Sequence, residues 1–476
     1  MKISSIIKTV ALIFTLSVMW SCNSLKPTVR TENKFTPAQF TKKQDTVTVA
    51  KLNWQTYFDD KNLVALIDTA LKNNQELNIF LQEIEISKNE VRARKGEYLP
   101  FVNLAAGAAV EKPGNFTTMG AVEEQLEVKP GTRFPEPMQD YLLGATATWE
   151  VDIWKKLRNS RKAAAMNYLA SMEGKNFLVT NLIAEIADAY YELMALDNLL
   201  EIINRNIELQ SSALQVVTQQ KESARVTQLG VNRFEAQLLN TKNLQFDVKQ
   251  RIVEIENRIH FLTGNFSQAI NRNSTGFLTI RIDSIQAGVP SQLLSNRPDI
   301  RQAEFELAAS KLNVKVARAN FYPSFGIRGG VGFQAFKVSY LINPESMMYN
   351  LTGDLIAPLV NRNAIKAAYN TANAKQLQAV FNYERTILNA YLDVRNQLSK
   401  IDNYNQSFET KNKEVEILMR SITIANNLFN SARADYAEVL LTQREALESK
   451  VDLVEIKMKQ MNAKVNIYRA LGGGWK

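Results

Sequence analysis

The 476-residue chain carries 57 Lys+Arg against 48 Asp+Glu, a formal net charge of +9, with 45% hydrophobic residues, 19 Gly and 12 Pro. A disordered chain would be less apolar and more one-sidedly charged, so the composition is that of a folded protein, long enough for two or three ordinary domains. Its single cysteine and single histidine, Cys22 and His260, exclude an intrachain disulfide framework and argue against Cys/His catalytic pairs and His-rich metal cages.

Lys2 and Lys8 precede the apolar run Val10–Trp20, which is 11 residues long. Such a run is too short to span a bilayer and suits a signal-peptide core. Ser21 and Cys22 follow at once. A small residue before a Cys in this place resembles a bacterial lipobox, which makes Cys22 the lipidated N-terminus of a mature chain of 476 − 21 = 455 residues. The alternative is an ordinary secretory signal with an incidental Cys. No later stretch reaches 18 apolar residues, so any membrane crossing must be a β-barrel. The scattered basic charge of an exported chain argues against nucleic acid as a partner.

Two alternating regions follow Pro100 and Pro323, residues that stop helices. In 141–152, Leu143, Ala145, Ala147, Trp149 and Val151 share one face, and Gly144, Thr146, Thr148, Glu150 and Asp152 the other. In 325–334, Phe325, Ile327, Val331 and Phe333 oppose Gly326, Arg328, Gly330 and Gln334; in 349–355, Tyr349, Leu351 and Leu355 oppose Asn350, Thr352 and Asp354. Segment 101–110 is a fourth, less clearly sided strand. Apolar-out, polar-in alternation over about ten residues is the pattern of a transmembrane barrel, although a soluble sheet alternates too. Glu150, Asp152, Arg328, Gln334 and Asp354 are then candidates for the lumen. Tyr98, Trp149, Trp154, Tyr322 and Tyr349 stand near strand ends, as an aromatic girdle would. Four strands are too few for a membrane barrel, whose minimum is about eight. Three copies would give twelve.

Between and beyond the strands, apolar residues recur every seventh position. Val179, Ile186, Leu193, Leu200, Ile207 and Leu214 form one line, and Leu182, Ala189, Leu196, Ile203, Gln210 and Val217 a second. Val380, Ile387, Val394, Ile401, Phe408, Val415, Ile422 and Phe429 repeat the pattern. This predicts two helices of ~70 residues, each roughly 105 Å long, with two shorter partners ending near Leu262 and Tyr468. The halves also align. Tyr98-Leu99-Pro100 matches Phe321-Tyr322-Pro323 at an offset of 223, and His260–Gly264 matches Tyr468–Gly472 at 208. The chain reads as an internal duplication: a signal peptide at 1–21, a lipid-anchored segment and first repeat at 22–264, a linker at 265–290 and a second repeat at 291–476.

These features together resemble the TolC-type outer-membrane efflux family, in particular its lipoprotein branch associated with resistance-nodulation-division (RND) pumps. The most specific match is Asn296-Arg297-Pro298-Asp299-Ile300, which looks like the segment opening the family's second repeat. Pro298 suits a first helical turn and Asp299 complements the helix dipole. The resemblance implies a mainly α chain with a transmembrane β section. Long coiled helices would form an α-barrel, and four strands per chain would contribute to a trimeric 12-stranded β-barrel. It implies a homotrimer held in the outer membrane by its lipid anchor, with a long periplasmic extension. Its partners would be a periplasmic adaptor and an inner-membrane RND pump. No enzymatic role and no cofactor or metal is implied.

Arg225, Val226, Thr227, Gln228, Leu229 and a turn-capable Gly230 resemble the family's first helix–turn–helix tip. Arg433, Ala434, Asp435 and Tyr436 resemble the second. These tips would meet the adaptor. Two departures matter. The family's Trp-Glu-Leu-Asp-Leu-Phe-Gly-Arg pattern reads Trp149-Glu150-Val151-Asp152-Ile153-Trp154-Lys155-Lys156, so a hinge glycine is replaced and the hinge is expected to differ in detail. Lys155, Lys156 and Arg158 are candidates for lipid phosphates or for a solvated face. Where some members carry a channel-closing acid stands Leu441, with Asp435 and Glu438 the nearest acids, so the constriction would be apolar or displaced towards the tip. Two other readings share parts of the pattern: a duct for type I protein secretion, and a lipid-anchored coiled-coil tether without a pore.

Overall fold

A computed structural model describes residues 30–40, 47–266, 269–282, 285–360, 362–431 and 433–475; the export segment and Cys22 lie outside the described residues. The first half builds α1 (Lys61–Asn73), α2 (Gln75–Glu97), β1 (Phe101–Glu111), α3 (Thr118–Gln125), β2 (Glu127–Lys129), β3 (Thr132–Arg133), β4 (Met138–Val151), α4 (Lys156–Glu222) and α5 (Gln228–Thr263). The second half builds α6 (Pro298–Ala319), β5 (Ser324–Ala335), β6 (Met347–Ile356), α7 (Asn363–Asn430) and α8 (Tyr436–Ala470). Among the described residues, no helix is long and apolar enough to cross a membrane.

The heptad lines become α4, of 67 residues, and α7, of 68, each roughly 100 Å long at 1.5 Å per residue. α5 and α8 are half that length and return from the far tips. The short helices α2 and α6 pack on the upper parts of α4 and α7. In α4 the second predicted line, Leu182, Ala189, Leu196, Ile203, Gln210 and Val217, is buried throughout, whereas the first is buried at Ile186 and Leu193 and half-buried elsewhere. In α7, Val380, Ile387, Val394 and Ile401 are buried, whereas Phe408, Val415, Ile422 and Phe429 nearer the tip are half-buried. Each fully buried aliphatic side chain adds about 1.5–3 kcal/mol of apolar transfer, so the middle of the molecule is its most stable section.

Two apolar clusters form that middle. Trp54, Phe58, Leu63 and Ile67 pack on Ile186, Tyr190 and Met194 of α4 and on Met461 and Tyr468 of α8. Leu293, Ile300 and Leu307 pack on Val380, Tyr383, Ile387 and Val394 of α7 and on Ile467 of α8. The N-terminal segment runs along α6 and α7. Arg30 pairs with Glu384, Lys34 with Glu304 and Glu32 with Lys311, each at 2.7 Å, and Phe40 stacks on Tyr391 at 5.7 Å.

The duplication reappears as paired contacts. Asn74 Nδ2, at the start of α2, donates to Leu262 O at the end of α5 at 2.9 Å. Arg297 Nη1, at the start of α6, donates to Ala470 O at the end of α8 at 2.8 Å. The separations are 297 − 74 = 223 and 470 − 262 = 208, the two offsets found in the sequence. Gly264 (φ 67°) and Gly472 (φ 85°) turn the chain left-handed just past these helix ends. A Cβ there would come within 2.6 Å of Asn73 O and Asn296 O, so only glycine suits either position.

Candidate functional site

The four main strands form one antiparallel sheet in the order β1-β4-β5-β6, with β1 and β6 at open edges. Glu150 lies opposite Gly326, which lies opposite Asp354; Thr148, Arg328 and Thr352 align in the same way. Residues directly opposite one another share a face, so Glu150, Arg328, Gln334 and Asp354 stand together on the polar side. Arg328 Nη2 reaches Asp354 Oδ2 at 3.5 Å, and Gln334 Nε2 donates to Asp140 at 2.8 and 2.9 Å. Gly326 faces Asp354 because a Cβ would sit 2.7 Å from Asp354 Oδ1. The opposite face carries Val102, Leu104, Val110, Leu143, Val331, Tyr349, Leu351 and Leu355, all exposed; Leu104 and Leu351 are 87% and 79% exposed. An apolar face of this extent, on strands of 10 to 14 residues, is what a lipid-facing barrel wall needs.

Asp152 departs from the expected lumen position. β4 ends at Val151, and the Asp152 side chain is only 1% exposed. Its carboxylate accepts from the backbone N–H groups of Leu157 and Arg158 at 3.0 and 2.9 Å, and from Arg158 Nε at 3.2 Å. It therefore satisfies orphan donors at the start of α4. Strict alternation along the sequence does not reveal where a strand yields to a helix.

The strand-to-helix hinge also departs from expectation. Lys155 stands where the resembled pattern has glycine, yet its backbone is left-handed, at φ 60° and ψ 29°. The turn keeps a glycine-like geometry with a side chain that disfavours it, at a cost of roughly 1–2 kcal/mol. The surrounding contacts hold it. Lys156 pairs with Glu150 at 2.5 Å, Trp154 Nε1 donates to Pro323 O at 2.7 Å, and Trp154 stacks on Tyr322 at 4.6 Å. Trp149 Nε1 donates to Tyr98 O at 3.1 Å. Four of the five predicted girdle aromatics thus collect at this end of the sheet, and Tyr349 stands at the other end. Lys156 and Arg158 are each held in an ion pair, although Arg158 stays exposed, and Lys155 is the one of the three without an ion pair among the described residues.

At the far ends of the helices the two tips touch. Tyr436 and Leu440 of α8 pack with Val217, Val226, Val231 and Phe234. Gly230 is not a turn residue: it lies in the first turn of α5, and the left-handed residue is Ala224 at φ 59°. Gly230 instead permits close packing, since a Cβ would lie 2.7 Å from Val226 Cγ1 and 3.6 Å from the Tyr436 ring. Thr227 caps α5 by accepting from Gly230 N, while Asp435, its counterpart before α8, makes no side-chain cap. Arg225, Gln228, Leu229, Arg433, Asp435 and Glu438 are exposed at the tip surface, and Ala434 is half-buried. Leu441 is 46% exposed on α8.

In the middle section, Arg297 is buried. Its guanidinium grips both oxygens of Asp299 at 3.0 and 2.7 Å while Nη1 holds Ala470 O. Pro298 occupies the first helical turn as expected, and Asp299 additionally fixes the arginine. Asp188 of α4 carries no sign in the sequence that sets it apart from the solvated acids of a helix face. Its Oδ2 accepts from Asn466 Nδ2 at 2.9 Å, and its buried Oδ1 has no hydrogen-bond partner. Burial pushes this carboxyl up to about 7, against the pull of the Asn466 bond and of Arg469 and Arg258. Among the described residues no group of acids, His or Cys is arranged to hold a metal.

A sheet with one lipid-facing and one polar face, above long paired helices, defines an outer-membrane channel subunit. The chain belongs to the outer membrane efflux protein family, which it matches over residues 66–265 and 289–473. It is an outer-membrane efflux duct with a long periplasmic helical extension. It is 25% identical to a probable outer membrane lipoprotein, SilC, of Salmonella typhimurium over 97% of this chain and 98% of that one. It is 28% identical to the pyoverdine export outer membrane protein OpmQ of Pseudomonas putida, over 89% and 88%. Among solved structures, the outer-membrane channel OprN is similar at 23% identity and a TM-score of 0.83, covering 94% of this chain and 99% of that one. CusC is similar at 23% identity and a TM-score of 0.80, with the same coverage.

Proposed function

We propose that three copies of this chain assemble into one duct. A 12-stranded barrel would cross the outer membrane and continue into a tube of long helices in the periplasm. The observation that carries this reading is the open sheet. Its apolar face is exposed along its length and its edge strands β1 and β6 are unpaired, a state that lipid does not tolerate and that closure with neighbouring copies removes. The helices support the same assembly. Leu239, Phe246 and Val253 form an exposed heptad stripe on α5, and Ile417 and Ile424 form another on α7, each suited to a neighbouring protomer. A tether without a pore leaves the sheet edges unexplained.

Cys22 is the proposed lipid anchor, ahead of an N-terminal segment that lies along α7. Glu384, the partner of Arg30, lies 384 − 363 = 21 residues into α7, roughly 32 Å from its membrane-side end. The eight residues from Cys22 to Arg30 span at most about 26–29 Å, short of that distance even at full extension, so the lipid-anchor reading rests on the lipobox-like Ser21-Cys22 pair. The tip residues 225–230 and 433–436 are the proposed adaptor-docking surface, and the adaptor would link the duct to an inner-membrane RND pump. Residues 1–21 are the export signal, and 265–290 the connection between repeats. Transport through the duct is passive, and the pump supplies the energy.

Assembly is tested on the lipid-facing wall. The unmodified protein should run as a heat-modifiable trimer from outer membranes. Leu351→Arg should lose that band, since a cation at the bilayer midplane costs about 2–4 kcal/mol per protomer. Equal trimer yield from both would remove Leu351 from the lipid face.

A further inference from the structure

The connections at the outer end of the sheet fold over its polar face. The β2–β3 hairpin meets the β5–β6 loop through Lys129 Nζ and Glu345 Oε2 at 2.7 Å, and Phe134 packs edge-on against Phe336 at 5.5 Å. Beneath this roof lies a cavity of about 770 Å³. That is the size of a small-molecule site. Its floor belongs to the lumen: Glu111 lies opposite Met138 in the register, and Asp140 and Gln334 share the face of Glu150 and Arg328. Phe336 and Tyr340 add aromatic walls.

The charges around the cavity are one-sided. Lys129 and Glu345 cancel each other across the roof. Asp140 is oriented by Gln334, an uncharged donor, and Glu111 has no ion-pair partner among the described residues. Two carboxylates are therefore uncompensated beside aromatic and methionine surface. An anion is repelled by such a site, and a neutral molecule gains only the apolar contact. A cation gains both carboxylates and the negative faces of the rings.

We propose that this cavity is an exit-side binding site for small organic monocations with apolar arms. The proposal rests on the reading of the polar face as a channel lumen, and places a binding step where cargo leaves the duct. Three copies per assembly follow from three subunits.

The test uses purified trimers in nanodiscs of zwitterionic lipid, titrated calorimetrically with tetrabutylammonium. The expected result is saturable binding that weakens at least tenfold in the double variant Glu111→Gln, Asp140→Asn and is unchanged in Glu201→Gln, an exposed carboxylate on α4. Butanesulfonate, an anion with a similar apolar arm, should show no saturable binding. If the double variant fails to assemble, Glu111→Gln alone serves, because that carboxylate holds no ion pair, and Phe336→Leu removes one aromatic face; each should weaken binding severalfold. No saturable tetrabutylammonium binding, unchanged affinity in the variants, or equal binding of butanesulfonate overturns the proposal. Conductance of the same trimers keeps the two readings apart: conducting trimers without cation binding overturn the site alone, and non-conducting trimers overturn the channel.

Discussion

Replacing Asp188 by Asn should stabilise the protein at neutral pH and leave it nearly unchanged in acid. Asp188 is held between α4 and α8, with one oxygen on Asn466 Nδ2 and the other buried without a partner. Arg469 on α8, Arg258 on α5 and Glu185 on its own helix are the charges around it, and burial outweighs them, raising the carboxyl to about 7 from an ordinary 3.8. Between those values the folded chain keeps a proton that the unfolded chain has lost. Stability from this group is therefore complete below about pH 4, falls as pH rises to about 7, and is flat above. About three pH units at ~1.4 kcal/mol each set an upper bound of ~4 kcal/mol, and relaxation around an incompletely buried group should leave about half of it. Asparagine keeps the acceptor for Asn466 and removes the buried charge. Thermal unfolding followed by circular dichroism should give the variant a melting temperature ~2–4 °C higher than the parent at pH 8, and the same at pH 4. An advantage that does not change with pH, or a less stable variant at pH 8, would refute the assignment of a raised carboxyl to Asp188.

Other substitutions probe separate parts of the account. Lys155→Gly should raise thermal stability by roughly 1–2 kcal/mol, because the left-handed hinge favours glycine; a loss on unfolding scans would mean the lysine side chain contributes more than its backbone costs. Gln210→Leu should stabilise the helical section by about 1–3 kcal/mol, since Gln210 is 3% exposed and neither of its amide atoms has a partner; a destabilised variant in the same scans would indicate that the amide is satisfied in the assembled duct. Leu441→Asp or Asp435→Ala should change the conductance of the resting channel in planar bilayers, and unchanged gating in both would move the constriction elsewhere.

Much of this architecture was legible because its periods are simple. The two-residue alternation of 325–334 and the seven-residue spacing through α4 and α7 leave few alternatives, and Pro100 and Pro323 mark where one gives way to the other. The offsets of 223 and 208 carried over into space, where Asn74 and Arg297 hold equivalent carbonyls. What escaped depends on atoms far apart in sequence or on backbone states that residue type does not announce. Asp152 continues the alternation of β4 by its position but is turned inward to the first N–H groups of α4. Lys155 gives no sign of a left-handed turn. Gly230, turn-capable by residue type, is a packing contact, while Ala224 makes the turn. Asp188 reads as one more solvated helix acid until α8 covers it. The exit cavity exists only because the connections at 111–140 and 334–348 meet, and no local pattern predicts that meeting.

Three copies of the chain are expected to close a water-filled pore. Single-channel recording of the purified protein in a planar bilayer tests this closure most directly. A trimeric preparation should give discrete, lasting conductance steps, and a Leu351→Arg preparation that fails to assemble should give none. A well-folded, membrane-inserted preparation that never conducts would contradict it.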